Sequence, residues 1–193
     1  TRAYYGANNA GGNDTRAAEM IINACQIADN DIDFSIYDDD GDGFIDNIFV
    51  IFAGGDEANG DGEDCIWSHS WNIYYGAGYS ISLDGKKLGR YACTAEFDKT
   101  LASSGYEDIL TGIGTFCHEY GHTFGLPDLY DSDYENNGGW AAGLWGRTSL
   151  MDSGNQNNQG NTPPNFNAVE RDILGLPGAV VIENDGKYNL SPI

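Results

Sequence analysis

Apolar residues recur along the first quarter of the chain with two different periods, which predict a helix followed by extended segments. Asp14 can cap a helix, and apolar residues at helical spacing after it define one buried stripe: Ala17, Met20, Ile21, Ala24, Ile27 and Ala28. Residues 32–36 alternate between apolar and polar and predict a short extended segment. Residues 47–53 are almost continuously apolar and precede two glycines, a pattern typical of a central strand buried on both faces.

The middle of the chain predicts further strands and then a second helix. Residues 65–71 favour a strand, and residues 79–83 and 86–97 favour two strands joined by the hairpin turn signal Asp84-Gly85. Residues 105–124 predict a helix whose buried face carries Ile109, Ile113, Phe116, Cys117 and Tyr120. A closing helix is expected over residues 165–175, ended by Gly175.

Together these elements predict an α+β domain over residues 1–178. We expect a twisted mixed sheet packed on the N-terminal helix and on the helix over residues 105–124. An irregular subdomain rich in Asp, Asn and Gly follows over residues 130–161 and contains the aromatic residues Tyr134, Trp140 and Trp145. Residues 179–193 alternate like the first strand of a following β module or a C-terminal strand.

Composition excludes several classes of partner. The 193 residues carry 30 Asp and Glu against 9 Lys and Arg, which gives a net charge of -21. Such a field repels nucleic acid and anionic membrane surfaces, so we expect neither as a partner. No apolar run approaches the roughly 20 residues of a membrane span, so membrane insertion is not expected either. We expect a monomer.

The four cysteines do not settle the redox compartment. Cys25, Cys65, Cys93 and Cys117 are not spaced like a metal cluster, and they allow three complete pairings. Cys117 lies on the apolar side of its helix, so we interpret it as a structural thiol or as a disulfide partner of Cys25.

The helix over residues 105–124 carries the sequence His118-Glu119-Tyr120-Gly121-His122. Histidines four residues apart lie on one face of a helix, so both imidazoles can reach one metal ion. Zinc accepts imidazole nitrogens readily, and a catalytic zinc site needs three protein ligands with one position left open. Glu119 follows the first ligand directly, in a place where it can act as general base.

The residues after His122 make the motif more specific. Gly125 can adopt the left-handed conformation that ends a helix and turns the chain back, which would bring Asp128 to the same metal ion. Asp131 is the alternative third ligand. Further along, residues 148–154 form a polar turn around Met151, one of only two methionines in the chain.

A zinc helix followed by a methionine turn resembles the metzincin plan, and an aspartate in the third ligand position narrows the match. The chain resembles the catalytic domain of the immune inhibitor A family of secreted bacterial metallopeptidases. This resemblance implies a zinc endopeptidase that acts on proteins or peptides outside the cytoplasm, in the periplasm, at the cell surface or in the medium. It also implies that an edge strand of the 79–97 hairpin pairs with extended substrate. Family catalytic domains begin with an additional strand, so part of the sheet is expected to be absent here.

An acidic loop offers a second cation site, with oxygen-bearing residues at spacings that resemble the start of an EF-hand: Asp38, Asp40, Asp42, the main chain of Phe44, and Asp46. Phe49 stands where an EF-hand has its bidentate glutamate, so the loop is not an EF-hand. We interpret it as a structural calcium site, and a plain acidic turn is the alternative.

Two further alternatives concern function. His69, the third histidine, could be another zinc ligand or a transition-state donor, although a core or rim position fits it better. A non-catalytic, calcium-stabilised binding module, or an inactive fragment of a peptidase, would fit the same composition. The joint presence of His118, His122, Asp128 and Glu119 favours the enzyme.

Overall fold

The computed structural model describes residues 1–98, 109–132, 145–177 and 182–189. Within these ranges the helices are α1 (Arg2–Tyr5), α2 (Ala17–Ala28), α3 (Ile73–Ala77), α4 (Ile113–Thr123) and α5 (Ala168–Ile173). The strands are β1 (Ile48–Phe52), β2 (His69–Asn72), β3 (Ser82–Leu83), β4 (Lys86–Lys87) and β5 (Arg90–Ala95). Short 3-10 helices cover Phe34–Ile36, Glu57–Asn59, Gly146–Thr148 and Ser153–Gln156. The predicted α+β class is confirmed at this level.

The main sheet has the order β1-β5-β2, with β5 parallel to β1 and antiparallel to β2. β3 and β4 form a separate hairpin around Asp84 and Gly85, which both have positive φ as the turn signal predicts. β5 is the central strand, and all its residues after Arg90 are buried. β2 lies at the edge of the described sheet, beside α4.

The two faces of β5 pack against different helices. Tyr91, Cys93 and Ala95 join the main core with α2, which contributes Ala18, Ile21 and Ile22. Alternate residues of a strand face opposite sides, so Ala92 and Thr94 face the side that α4 covers. On that side the Phe49 ring of β1 lies 4.2 Å from the Phe116 ring of α4, centroid to centroid.

Helix α2 is confirmed, but its predicted cap is wrong and its predicted stripe is only partly right, since Ala17 and Ile21 are buried and Met20 and Ala28 only border the core. Asp14 accepts a hydrogen bond from the Trp67 backbone N–H instead of capping α2, which begins at Ala17. The buried face is rotated from the predicted one and consists of Ala17, Ala18, Ile21, Ile22 and Cys25, while Ile27 is 74% exposed. The rotation follows from α3, because the Gly76 backbone approaches so closely that a Cβ there would lie 2.7 Å from the Ala18 Cβ.

Two predicted extended segments differ in the structure. Residues 34–36 form a 3-10 helix because the Asp33 side chain accepts a hydrogen bond from the Ser35 N–H, which competes with an extended backbone. The strand predicted over residues 47–53 is confirmed as β1, but within the described residues it pairs only with β5 and is not central. Its Ile51 is 62% exposed, so burial on both faces was a wrong prediction. Of residues 65–71, only the last three belong to strand β2.

Helix α4 begins later than predicted. Residues 105–108 lie outside the described residues, and Leu110 pairs with Phe97 in an extended bridge. Gly112 is the N-cap, and a Cβ there would lie 2.5 Å from the Gly160 carbonyl carbon. The predicted buried face is also wrong, because α4 buries Gly114, His118, Glu119 and Gly121 while Ile113 is exposed. Contact with residues 155–160 decides both differences.

The C-terminal part is irregular, as predicted, up to α5. The described residues of the 130–161 segment form two 3-10 helices and no α-helix or strand, whereas Tyr134 and Trp140 lie outside the described residues. Helix α5 is confirmed, with Gly175 after it at φ 64. Residues 182–189 are exposed and contain no helix or strand. No helix in the described ranges has the length and apolar character needed to cross a membrane.

Candidate metal centre

Helix α4 places both histidines and Glu119 on the side that faces the C-terminal part of the chain. The His118 and His122 rings lie 4.8 Å apart, centroid to centroid. His118 and Glu119 are buried, and His122 is half-buried. Donor atoms of these three side chains lie within 4.8 Å of one another, which is a grouping that could hold a metal ion.

The turn after α4 brings Asp128 to the same place. Gly125 has φ 95, the left-handed conformation that the sequence predicts, and the Leu126 N–H bonds back to the Gly121 carbonyl. Asp128 Oδ1 then lies 3.2 Å from His118 Nε2 and 3.3 Å from His122 Nε2. Among the described residues, Asp131 makes no such approach to either histidine, although its buried Oδ2 has no hydrogen-bond partner.

Both histidines have their outer nitrogen fixed by a backbone carbonyl. His118 Nδ1 donates to the Leu150 oxygen at 2.9 Å, and His122 Nδ1 donates to the Leu126 oxygen at 2.8 Å. A carbonyl can only accept, so each Nδ1 carries the proton and each Nε2 has a free lone pair in the neutral ring. This arrangement is typical of imidazoles that bind a metal through Nε2.

The geometry of these atoms fits a zinc ion. Ligands about 2.0 Å from a tetrahedral zinc are separated by about 3.3 Å, which matches the distances from Asp128 Oδ1 to the two Nε2 atoms. With both imidazoles neutral and protonated at Nδ1, neither Nε2 can donate to Asp128 Oδ1, so this buried oxygen has no hydrogen-bond donor and a bound cation would offset its desolvation.

The electrostatics of the site follow from burial and from Asp128. Burial favours the neutral imidazoles, but the Asp128 carboxylate outweighs it and raises the pKa of both His118 and His122. Burial likewise opposes ionisation of Asp128, yet the two imidazoles hold its pKa below the usual range. Burial raises the pKa of Glu119 to about 7, which suits a group that takes up and returns a proton near neutrality. A cation bound beside Glu119 would oppose this rise.

The methionine turn lies directly against α4. Met151 is fully buried, and a Cβ at Gly121 would lie 2.8 Å from its sulfur, so a side chain there would have to displace the end of the methionine. Met151 packs with Leu126 and Leu150 in a small second core. Its backbone oxygen accepts a hydrogen bond from the Leu129 N–H, next to Asp128.

A cleft of about 520 Å³ opens beside His122 and Asp128. Strand β2 forms one wall with Ser70, Trp71 and Asn72, and residues 125–128 form another. Arg90 also lines the cleft and donates from Nη1 to the His122 oxygen at 3.3 Å. The substrate-pairing strand was predicted within the 79–97 hairpin, but in the described sheet the edge strand beside this cleft is β2.

The acidic loop groups some of its predicted ligands. Carboxylate oxygens of Asp38, Asp40 and Asp42 lie within 4.8 Å of one another, and Asp46 lies outside that group and accepts from the Asp39 N–H. Phe44 donates its N–H to Asp42. Asp38 Oδ2 pairs with Lys86 Nζ at 2.6 Å, which lowers the pKa of Asp38.

His69 is half-buried at the rim of the main core and is not grouped with the candidate metal ligands, in line with the preferred core or rim interpretation. Its Nδ1 is 2.6 Å from the Trp67 oxygen and its Nε2 is 2.8 Å from the Tyr91 hydroxyl. Sequence reasoning missed Glu170, which is fully buried against the methionine turn. The signal that could have found it is Asn167 three residues ahead, since this spacing predicts a capping box.

Comparisons with known proteins identify the family of the chain. Residues 1–176 match the family described as immune inhibitor A peptidase M6, catalytic domain. The pre-pro-metalloprotease PrtV of Vibrio cholerae is 35% identical over 175 residues, which cover 79% of this chain and 18% of that protein. Immune inhibitor A of Bacillus thuringiensis is 35% identical over 163 residues, which cover 70% of this chain and 22% of that protein. The chain thus spans about a fifth of the length of these relatives, and it belongs to the immune inhibitor A family of metallopeptidases.

Proposed function

We propose that the chain is the catalytic part of a zinc-dependent endopeptidase with a metzincin-like site. His118, His122 and Asp128 hold the zinc ion, Glu119 is the general base, and Met151 forms the floor beneath the metal. The substrates are proteins or extended peptides that lie in the cleft along β2. As the family resemblance implies, the protein acts outside the cytoplasm, and we expect it to be a monomer.

Each residue has a defined task in this reaction. Bound zinc supplies Lewis acidity towards a water molecule and the scissile carbonyl. Glu119 takes a proton from the attacking water and returns it to the leaving amine nitrogen. The Leu150 and Leu126 carbonyls keep both imidazoles in the tautomer that presents Nε2. Within the described sheet the outer edge of β2 is unpaired, so it can offer backbone hydrogen bonds to extended substrate whatever the substrate side chains are.

The observation that carries the proposal is the position of Asp128 Oδ1, buried without a hydrogen bond and about equally far from both Nε2 atoms. A structural helix with two solvent-facing histidines would need no such carboxylate. A buried oxygen facing two imidazoles whose outer nitrogens are already fixed is best explained by a shared cation.

The test measures zinc content and casein cleavage for the parent, for Glu119→Gln and for the control Glu63→Gln. The control changes an exposed glutamate that is distant in sequence from Glu119. We expect stoichiometric zinc in all three proteins. Cleavage should persist in the control and fall about 10²–10⁴-fold in Glu119→Gln, because loss of a general base removes that much rate.

Other outcomes would point to the alternative functions. Zinc in all three proteins with no cleavage in any would indicate a non-catalytic module or an inactive fragment. No zinc after metal-replete purification would refute the proposed ligand set. Unchanged cleavage in Glu119→Gln would refute its role as base.

We also propose that the acidic loop binds a structural calcium ion through Asp38, Asp40, Asp42, the Phe44 carbonyl and Asp46. Supporting this, the Asp38 side chain is fully buried and its Oδ1 lacks a hydrogen bond even though Oδ2 pairs with Lys86. Three clustered carboxylates repel one another unless a cation offsets their charge, and calcium prefers such hard oxygen ligands.

Calcium binding can be tested by melting the protein in EGTA and in millimolar calcium. We expect calcium, but not magnesium, to raise the melting temperature by about 5 °C. Asp40→Asn should abolish that rise, whereas Asp39→Asn should retain it because the Asp39 carboxylate lies outside the cluster. A melting temperature independent of calcium would mean that the loop is an acidic turn neutralised by Lys86.

A further inference from the structure

The turn formed by residues 149–151 contacts both segments that supply the proposed ligands, helix α4 and the segment around Asp128. Its Leu150 oxygen accepts the hydrogen bond from His118 Nδ1, and its Met151 oxygen accepts the one from the Leu129 N–H. Leu129 directly follows Asp128, so the turn fixes the His118 ring and the backbone beside the third proposed ligand. A displacement of this turn would therefore move two ligands relative to one another.

Glu170 on α5 holds the turn from the opposite side. Its Oε1 accepts from the Ser149 hydroxyl at 2.6 Å and from the Met151 N–H at 2.8 Å. Its Oε2 accepts from the Asn167 N–H at 2.5 Å. Glu170 and Ser149 are both fully buried, so these bonds are shielded from water and a lost partner would leave a buried donor unsatisfied.

Capping of α5 alone does not explain this arrangement. A capping box needs one carboxylate oxygen to accept from the N-cap backbone, and Oε2 does so. Oε1 is not needed for the cap, and both of its donors belong to the turn, about 20 residues earlier in the chain. The glutamate therefore joins α5 to the methionine turn as well as capping the helix.

We propose that Glu170 is a positioning residue for the metal centre. By holding Ser149 and Met151, it sets the Leu150 carbonyl that orients His118, and it keeps the Asp128 segment in register with α4. This inference rests on the proposed zinc site, and it assigns to α5 a part in metal binding that the zinc motif itself does not contain.

The test compares Glu170→Gln and Ser149→Ala with the control Asn167→Ala. In Glu170→Gln the new amide NH2 meets either the Asn167 N–H or, when flipped, the Met151 N–H, donor against donor in both cases, so the side chain must shift and its hydrogen bonds to the turn weaken. Ser149→Ala removes one contact with the turn and leaves α5 capped. Asn167→Ala removes the side-chain cap of α5 but leaves the contacts of Glu170 with the turn. The readouts are the zinc dissociation constant, the visible spectrum of the cobalt-substituted protein, kcat and KM.

We expect Glu170→Gln to raise the zinc dissociation constant about tenfold, as loss of outer-shell support commonly does. Its cobalt spectrum should change and its kcat should fall with little change in KM. Ser149→Ala should raise the zinc dissociation constant and lower kcat by about threefold each, and its cobalt spectrum should also change. Asn167→Ala should lower the melting temperature by about 3 °C while its zinc affinity and cobalt spectrum match the parent.

Parent-like zinc affinity and cobalt spectrum in both Glu170→Gln and Ser149→Ala would overturn the inference and leave the proposed function intact. If Glu170→Gln does not fold, Ser149→Ala decides between these results. Failure of the parent itself to bind zinc would overturn the proposed function and this inference with it.

Discussion

The three histidines of the chain share one feature and differ in another. Each presents Nδ1 to a backbone carbonyl, which fixes the tautomer. Nε2 meets the Asp128 carboxylate in His118 and His122, whereas in His69 it meets the neutral Tyr91 hydroxyl. Burial therefore prevails at His69 and lowers its pKa, despite opposing contributions from the Trp67 carbonyl and from Asp56. The group that faces Nε2 therefore distinguishes His69 from the two candidate metal ligands.

His69 should make the protein less stable in acid. Its folded pKa lies below the unfolded value of about 6.5, so its contribution to stability is present above that value and is lost as the pH falls through the folded pKa. Replacing it with glutamine, which does not titrate, should remove this loss. Between pH 7.5 and 5 we expect the free energy of unfolding to fall more steeply for the parent than for His69→Gln, measured with urea. His118 and His122 titrate equally in both proteins, so parallel curves would refute the prediction.

The cysteines allow a second prediction for single residues. All four are thiols in the structure, so of the two alternatives for Cys117 it has the structural thiol and not the disulfide to Cys25. Burial raises the pKa of Cys25 to about 11 and also raises the pKa values of Cys93 and Cys117, but of the four only Cys117 is half-buried and so accessible to a reagent. At pH 8 we expect iodoacetamide to modify Cys117 alone in the native protein and all four cysteines in urea, measured by mass spectrometry. A Cys117→Ser variant should remain unmodified when native. Two unreactive cysteines in urea would instead reveal a disulfide.

At the level of elements, the position of α4 depends on backbone contact with residues 153–160. The Gly114 N–H donates to the Gly160 oxygen at 2.8 Å, and a Cβ at Gly114 would lie 1.8 Å from the Asn155 oxygen. A backbone oxygen cannot rotate away as a flexible side chain can. Glycine at position 114 therefore sets how closely α4 approaches the turn that holds Met151.

Gly114→Ala should destabilise the protein although alanine favours helices by about 1 kcal/mol over glycine. We expect a loss of about 3 kcal/mol in the free energy of unfolding, because the new Cβ must push α4 away from Asn155. The control is Ile113→Ala in the same turn of α4, whose side chain is exposed and should cost less than about 1 kcal/mol. Urea unfolding measures both. An equal effect of the two substitutions would show that the contact can relax.

Local chain signals predict well which candidate site residues lie together, and they predict the sheet order poorly. His118, Glu119, His122 and Asp128 lie within one helix and its terminal glycine turn, so spacing alone brings them together. The start of α4 and the edge position of β1 depend on contacts between distant parts of the chain, which no local period encodes. The spacing from Asn167 marks Glu170 as a capping residue, but only the folded chain places it beside Met151.

For the whole molecule, electrostatic self-repulsion is the dominant global feature. Acidic residues outnumber basic ones by 30 to 9, and the described residues contain two Lys or Arg ion pairs with carboxylates, Arg2 with Asp64 and Lys86 with Asp38. Most carboxylates therefore have no basic neighbour in ion-pair contact within the described ranges. A net charge of this size opposes compaction, and dissolved salt screens it.

Salt should therefore stabilise the protein. Raising sodium chloride from 10 mM to 0.5 M shortens the screening length from about 30 Å to about 4 Å, so repulsion between separate acidic loops is largely removed. With EGTA present to exclude calcium, we expect the melting temperature to rise by about 5 °C, most of it below 0.2 M. Potassium chloride should raise the melting temperature by the same amount. Sodium sulfate at equal ionic strength should also do so at low concentration, because screening of charge then outweighs the exclusion of sulfate from the protein surface. A melting temperature that stays flat or falls with salt would refute the prediction. It would show that the carboxylates are too far apart for their repulsion to destabilise the folded state.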